Sequence, residues 1–160
     1  MLYCDQTTSA EAVVAQLGAF KAGVQIVTFA EKDSADALDH ALRSTNAKGL
    51  IFNPEAASEK QTRMSFVHEL MPELNKMYFG DALNVAKYPN LEQLVQTKFK
   101  TIRGVNMFKD VPVYATPQYS SRQIPTNQAD DVALVALKDG RATEYSSGDL
   151  VNHAENLWNN

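Results

Sequence analysis

Several things are scarce in this chain, and each scarcity removes a class of function. Cysteine occurs once, at Cys4, so no internal disulfide framework can form and a reducing compartment suits the chain. Cys4 ends an apolar stretch, where a buried inert thiol is the simpler reading than a nucleophile. No apolar run reaches the roughly 18 residues needed to cross a bilayer, so no transmembrane segment of its own is expected. Positive charge is short, with 15 Lys and Arg against 19 Asp and Glu, a net of −4. No basic stripe appears, which argues against nucleic acid as a partner. His40, His68 and His153 are far apart and no H-x-x-x-H or C-x-x-C spacing occurs, so no metal site is expected. The start, M-L-Y-C-D-Q-T-T, has neither a secretory apolar region nor an Arg-rich transit pattern; any presequence is expected to be absent or already removed.

What remains is a globular composition, 44% hydrophobic and 21% charged. Its 160 residues make one domain, enough to bury roughly two-thirds of the unfolded surface. The chain opens with a short strand, Met1 to Cys4. Thr8 and Glu11 have capping-box spacing ahead of a helix whose expected apolar face is Val13, Val14, Leu17 and Phe20. Gly23 supplies the left-handed end of that helix. A second strand spans Val24 to Phe29, and Asp33 or Ser34 caps a helix carrying Ala35, Leu38, Ala41 and Leu42. A third strand, Lys48 to Phe52, follows. This alternation predicts an α/β fold with a largely parallel, Rossmann-like sheet flanked by helices. Val24–Phe29, Lys48–Phe52 and Val132–Leu137 are expected as neighbouring strands of that one sheet.

Further on, an amphipathic helix is predicted from Ser58 to about Leu70, with Met64, Val67, Leu70 and Met71 on one face and Pro72 ending it. Met77 to Phe79 reads as a short strand, and L-E-Q-L-V-Q-T from Leu91 as another or as a β-edge. Phe108 to Ala115 reads as an edge strand interrupted by Pro112. Thr116 to Gln128 reads as an irregular connector. Residues 1–115 therefore form a Rossmann-like core, 116–129 a connector, and 130–160 a final region of one domain.

That final region joins a buried strand, Val132 to Leu137, to a polar loop containing Gly140 and then to a helix opening at S-S-G-D. Strand, glycine loop and helix is a layout that cradles phosphate in nucleotide-binding proteins. Asp130–Asp131 read as solvated flanks of the strand rather than as cation ligands, and Ser146 with Asp149 as a capping box.

On these segments the chain resembles the adenylate-forming, AMP-binding acyl-CoA synthetase family. The run S-A-E-A-V-V-A-Q-L-G-A-F-K-A-G-V-Q-I-V-T-F, Ser9 to Phe29, is similar to the family's first Rossmann-like unit. A-K-G-L-I-F, Y-P-N-L-E-Q-L-V-Q-T and F-K-D-V-P-V-Y-A fall in the family's order. The D-D-V-A-L-V strand precedes the place of the family's phosphate loop, T-S-G-T-T-G-x-P-K-G followed shortly by a histidine. Gly148 to His153 keeps the spacing from the last glycine of that signature to its histidine, and Gly140 stands for the first glycine with one extra residue between. The resemblance covers most of this chain but only an early portion of the longer enzyme, and it implies a partial N-terminal domain of that fold.

The departures carry the functional expectation. A phosphate nest needs small residues tolerant of positive φ, yet no glycine lies between Gly140 and Gly148. The lysine of the signature falls at Ser147. Asp139, Glu144 and Asp149 bring like charge toward a triphosphate, only partly offset by Lys138 and Arg141, at about 1 kcal/mol or more each at intermediate dielectric. The family's threonine–glutamate motif, ribose-binding aspartate and mobile lysine belong beyond residue 160; Thr143–Glu144 lacks the motif's context. The expectation is a truncated, degenerate member: no catalytic residues, no cofactor, and Gly140, Ser147, Gly148 and His153 as the remains of the loop. The expected role is a non-catalytic accessory subunit, its partners other protein subunits of a larger complex. Mitochondrial respiratory-chain and ATP-synthase assemblies recruit such subunits, so a mitochondrial location is expected, otherwise a cytoplasmic one. Leu157 and Trp158, on a final apolar face with Leu150, Val151 and Ala154, are the partner-contact candidates, Trp158 being either core or contact. Two alternatives are a non-catalytic sensor of CoA, acyl groups or nucleotides, and one piece of a split synthetase.

Overall fold

The computed structural model describes residues 2–3, 9–29, 34–55, 57–58, 61–78, 81–111, 128–138 and 141–158. Cys4, Thr8, Asp33, Gly140 and the 116–127 part of the expected connector lie outside them. The described elements are β1 (Leu2–Tyr3), α1 (Ala10–Lys21), β2 (Ile26–Phe29), α2 (Ala35–Thr45) and β3 (Gly49–Phe52). A small hairpin, β4 (Ala57–Ser58) and β5 (Gln61–Thr62), leads to α3 (Arg63–Leu70) and a 3₁₀ turn, Pro72–Lys76. Then come β6 (Gln93–Gln96), β7 (Asn106–Met107), a 3₁₀ turn at Phe108–Asp110, β8 (Val132–Lys138), β9 (Arg141–Ser146) and α4 (Ser147–Trp158).

Seven strands form one sheet in the order β7-β6-β3-β1-β2-β8-β9. All neighbours are parallel except β8 and β9. Leu2 lies opposite both Val27 and Leu50, and Ile26 opposite Leu134, so the three expected strands share one sheet with β1 between two of them. The β1-to-β2 and β2-to-β3 connections run in opposite directions across the sheet, which puts α1 and α2 on opposite faces for right-handed crossovers. Alternation divides the strands accordingly. Leu50, Phe52, Val27, Val135 and Leu137 pack against α2 and α3 through Leu38, Leu42, Phe66 and Val67. On the other face, Ile51 packs against Ala12 and Ala15 of α1.

Local chemistry explains the boundaries. Ser34 accepts the Ala37 amide and caps α2, as expected. The cap of α1 is Ser9, accepting the Ala12 amide at 3.1 Å, rather than Thr8. Gly23, at φ 66°, closes α1: its N–H reaches Phe20 O while the Val24 N–H reaches Ala19 O, a Schellman ending. Leu70 ends α3 ahead of Pro72, as the missing proline donor requires.

Four expectations are corrected. Val13, Val14 and Leu17 do not face the sheet; α1 buries Ala12, Ala15 and Ala19, and leaves the bulky stripe 44, 56 and 61% exposed. The helix expected from Ser58 starts at Arg63, because Thr62 supplies the cap by accepting the Ser65 amide and the preceding residues pair as a hairpin. Met77–Tyr78 is not a strand. Phe108–Asp110 is a 3₁₀ turn following a two-residue strand, β7, that lies beside β6; residues 112–115 of that expected edge strand lie outside the described residues.

Candidate functional site

The candidate phosphate-binding region is the β8-β9-α4 unit. β8 runs into the sheet beside β2 with Ala133, Val135 and Leu137 buried. Where a loop was expected, Arg141–Ser146 folds back as an antiparallel strand, with Leu137 opposite Ala142 and Lys138 opposite Arg141. Every residue from Arg141 to Tyr145 is exposed, so both faces of β9 are wet, Thr143 and Glu144 included.

The start of α4 is the place where an anion would meet free amides. Here the chain uses them itself. The Ser147 N–H donates to Asp131 O at 2.9 Å, and the Gly148 N–H to Ala129 O at 2.8 Å. The Asp149 N–H donates to Ser146 Oγ at 3.1 Å, while Asp149 Oδ2 accepts the Ser146 N–H at 3.0 Å and its hydroxyl at 2.9 Å. This is the reciprocal capping box read from the sequence. The Ser146 amide, and secondarily its hydroxyl, hold the Asp149 carboxyl below its ordinary range, so the helix start carries a fixed negative charge. Gly148 has a packing reason as well: a Cβ there would lie 3.2 Å from Ala129 O.

Ser147 and Gly148 thus form the first turn of α4, with Ser147 at its first position, and His153 lies exposed along it. His40, His68 and His153 stand on three different helices, and no group of three or more metal-ligating side chains occurs among the described residues. Of the expected contact face of α4, Leu150 is half-buried, Val151 and Leu157 are 56 and 70% exposed, and the Trp158 side chain lies outside the described residues.

One other concavity among the described residues does not suit a nucleotide. A cleft of about 460 Å³, lined by Tyr78, Asp81, Glu92, Gln93 and Asn106, opens at the amino ends of β6 and β7 and carries two acidic side chains. Ligands of open α/β sheets bind beyond the carboxyl ends. Two polar clusters escaped the sequence reading. Asp39 Oδ1 accepts the Tyr88 hydroxyl at 2.6 Å and Arg43 Nε at 2.9 Å, with Lys87 Nζ at 3.1 Å. Partial burial works to raise the Asp39 pKa, but hydrogen bonds from Tyr88, Arg43 and Lys87 prevail and lower it to about 2. Tyr88 is pushed well above its ordinary value, first by burial and then by Asp39. The second cluster centres on Gln96, whose side chain is fully buried at the carboxyl end of β6. The Asp39–Tyr88 bond had no local signal, because the two residues are 49 apart in sequence.

No protein-family model and no curated protein matches the sequence. Solved structures do match the fold. The luciferase-like enzyme from the nonluminescent Zophobas morio mealworm superposes with a TM-score of 0.68 at 13% identity, over 98% of this chain and 32% of that one. Apo MatB from Rhodopseudomonas palustris superposes with a TM-score of 0.61 at 16% identity, over 98% of this chain and 26% of that one. The chain has the α/β fold of acyl-CoA synthetase-like enzymes and spans about a third or less of the length of these two.

Proposed function

We propose that this chain is a non-catalytic structural subunit of a larger protein assembly, built on a degenerate acyl-CoA synthetase-like fold. The observation that carries the reading is the outward stripe of α1, Val13, Val14 and Leu17, each about half exposed. A helix normally turns such a stripe inward, since burial of apolar area is the main return on packing it. Here alanines face the sheet and the larger side chains face out, which suits a helix sandwiched between this sheet and another surface. Two features point the same way. β9 is an outer strand of six residues, a hydrogen-bonding edge of the kind proteins normally cover. Val151 and Leu157 add apolar surface on α4. The absence of turnover is supported by the first amides of α4, already bound to Asp131 O, Ala129 O and Ser146 Oγ.

Pyrophosphate exchange tests the non-catalytic half. With ATP and a panel of fatty and short-chain acids the chain should show no exchange above background; measurable exchange overturns it. The fold shared with the luciferase-like enzyme and MatB favours a second reading, one piece of a split synthetase. A co-purifying chain that carries the threonine–glutamate and lysine motifs would establish that reading instead.

A further inference from the structure

We propose that the surface formed by the Thr97–Lys100 loop and the Phe108–Asp110 turn is a docking site for an acidic segment of a partner protein that carries an apolar side chain. β6 and β7 pair in parallel, Val95 opposite Asn106 and Gln96 opposite Met107, so the chain leaves both carboxyl ends side by side. Gln96 is 0% exposed and spends both ends of its amide on the loop above it. Its Oε1 accepts the Lys98 N–H at 2.6 Å and its Nε2 donates to Lys100 O at 2.8 Å. The Thr97 N–H donates to Phe52 O at 3.0 Å, so the loop is pinned from beneath at three points.

What the pins hold out is Phe99, 71% exposed. A fully paired buried amide rigidifies what it binds. An aromatic ring held in one place in water gains nothing for this chain alone, yet it meets a partner with little ordering cost. Lys109, from the adjacent turn, sets its Nζ 5.5 Å from the Phe99 ring centroid. Lys98 and Lys100 flank the same ring in sequence, and Lys98 Nζ lies 3.8 Å from Glu55. Aromatic side chains are enriched at interface centres, and the lysines around this one suit the polar rim.

Charge selects the occupant. The whole chain is net −4, but this patch holds three lysines against Glu55 and Asp110, the opposite sign. That local field draws an acidic segment, whereas two whole chains, each net −4, repel each other as they approach. Anionic membrane surfaces are met by clusters of roughly 4–8 cations; three lysines interleaved with two carboxylates fit the side-chain pattern of a protein segment better. The site does not involve α1, so its failure would leave the reading of that helix intact.

The test uses the full chain and a fluorescent peptide of about a dozen residues, Glu- and Asp-rich with a central Leu-Phe pair, followed by anisotropy. Saturable binding is expected, weakened by salt. It should fall by about tenfold or more in Phe99→Ala, the scale of one aromatic anchor, and comparably in the K98E/K100E pair. A peptide with Leu-Phe replaced by Ser-Ser should bind far more weakly. The urea midpoint of Phe99→Ala should match the parent, which separates lost contact from lost folding. No saturable binding, or binding indifferent to Phe99→Ala, overturns the proposal. So does binding confined to phosphatidylserine vesicles, or self-association that Phe99→Ala abolishes.

Discussion

Replacing Val14 and Leu17 of α1 by serine should leave the isolated chain folded and weaken its place in an assembly. Burying a valine or leucine fully contributes about 1.5–3 kcal/mol. With 56% of Val14 and 61% of Leu17 still in water, roughly half of that is unrealised at each, so covering the pair adds about 2 kcal/mol. The double serine variant forfeits that amount on assembly, about a thirtyfold loss of affinity. In the isolated chain the cost is the part already covered, about 1–2 kcal/mol for the pair, plus a helix-propensity difference of a few tenths of a kcal/mol per site. Urea unfolding of the isolated variant and incorporation of a tagged copy into the native assembly measure the two quantities separately. A fall of about 4 kcal/mol or more in the isolated chain, the scale of full burial of both side chains, would mean that this stripe packs within its own fold. Unchanged incorporation would mean that nothing covers it. Either result refutes the reasoning.

The Asp39 cluster predicts an acid limb. A folded pKa of about 2 against an ordinary 3.8 stabilises the fold by about 2 kcal/mol above pH 4. That contribution is lost as pH falls from about 4 through 2, and Asp39→Asn should flatten this limb in pH-dependent urea melts; an unchanged limb would discount the cluster. Gly104→Ala should destabilise by about 3 kcal/mol, because Gly104 sits at φ 68° and a Cβ would lie 2.7 Å from Leu74 Cδ2, a residue with no exposure. A thermal melt within a degree of the parent would contradict that packing.

The central sheet was legible because its strands are short apolar runs bounded by clear punctuation. Val132–Leu137, Lys48–Phe52 and the Ser34 and Gly23 signals all describe local chemistry, and the structure realises them. The orientation of α1 was not legible. Its alanines and its bulky residues both recur at helical spacing, so periodicity identifies two stripes without choosing between them. Size favoured the wrong one, because the sheet takes small residues at close approach. R-A-T-E-Y-S carries no buried side, so β9 offers no alternation and read as loop; its strand character comes from pairing with β8. At the helix after it, the Ser146–Asp149 box was read correctly, but the carbonyls of Ala129 and Asp131 that occupy the adjacent amides belong to a turn on the far side of the hairpin. Gln96 gave no warning, since a glutamine in a strand reads as surface until its loop is seen folded over it.

Native mass tests the subunit reading most directly. Extracts of the source cells, separated into mitochondrial and cytoplasmic fractions, should be resolved under non-denaturing conditions, the chain followed by antibody and its company identified by mass spectrometry. The account predicts that it migrates far above the 17.7 kDa of these 160 residues, with the same partner chains in constant proportion, and that the Val14/Leu17 double serine variant shifts toward free chain. Migration at 17.7 kDa as a stable lone monomer, in either fraction, would contradict it.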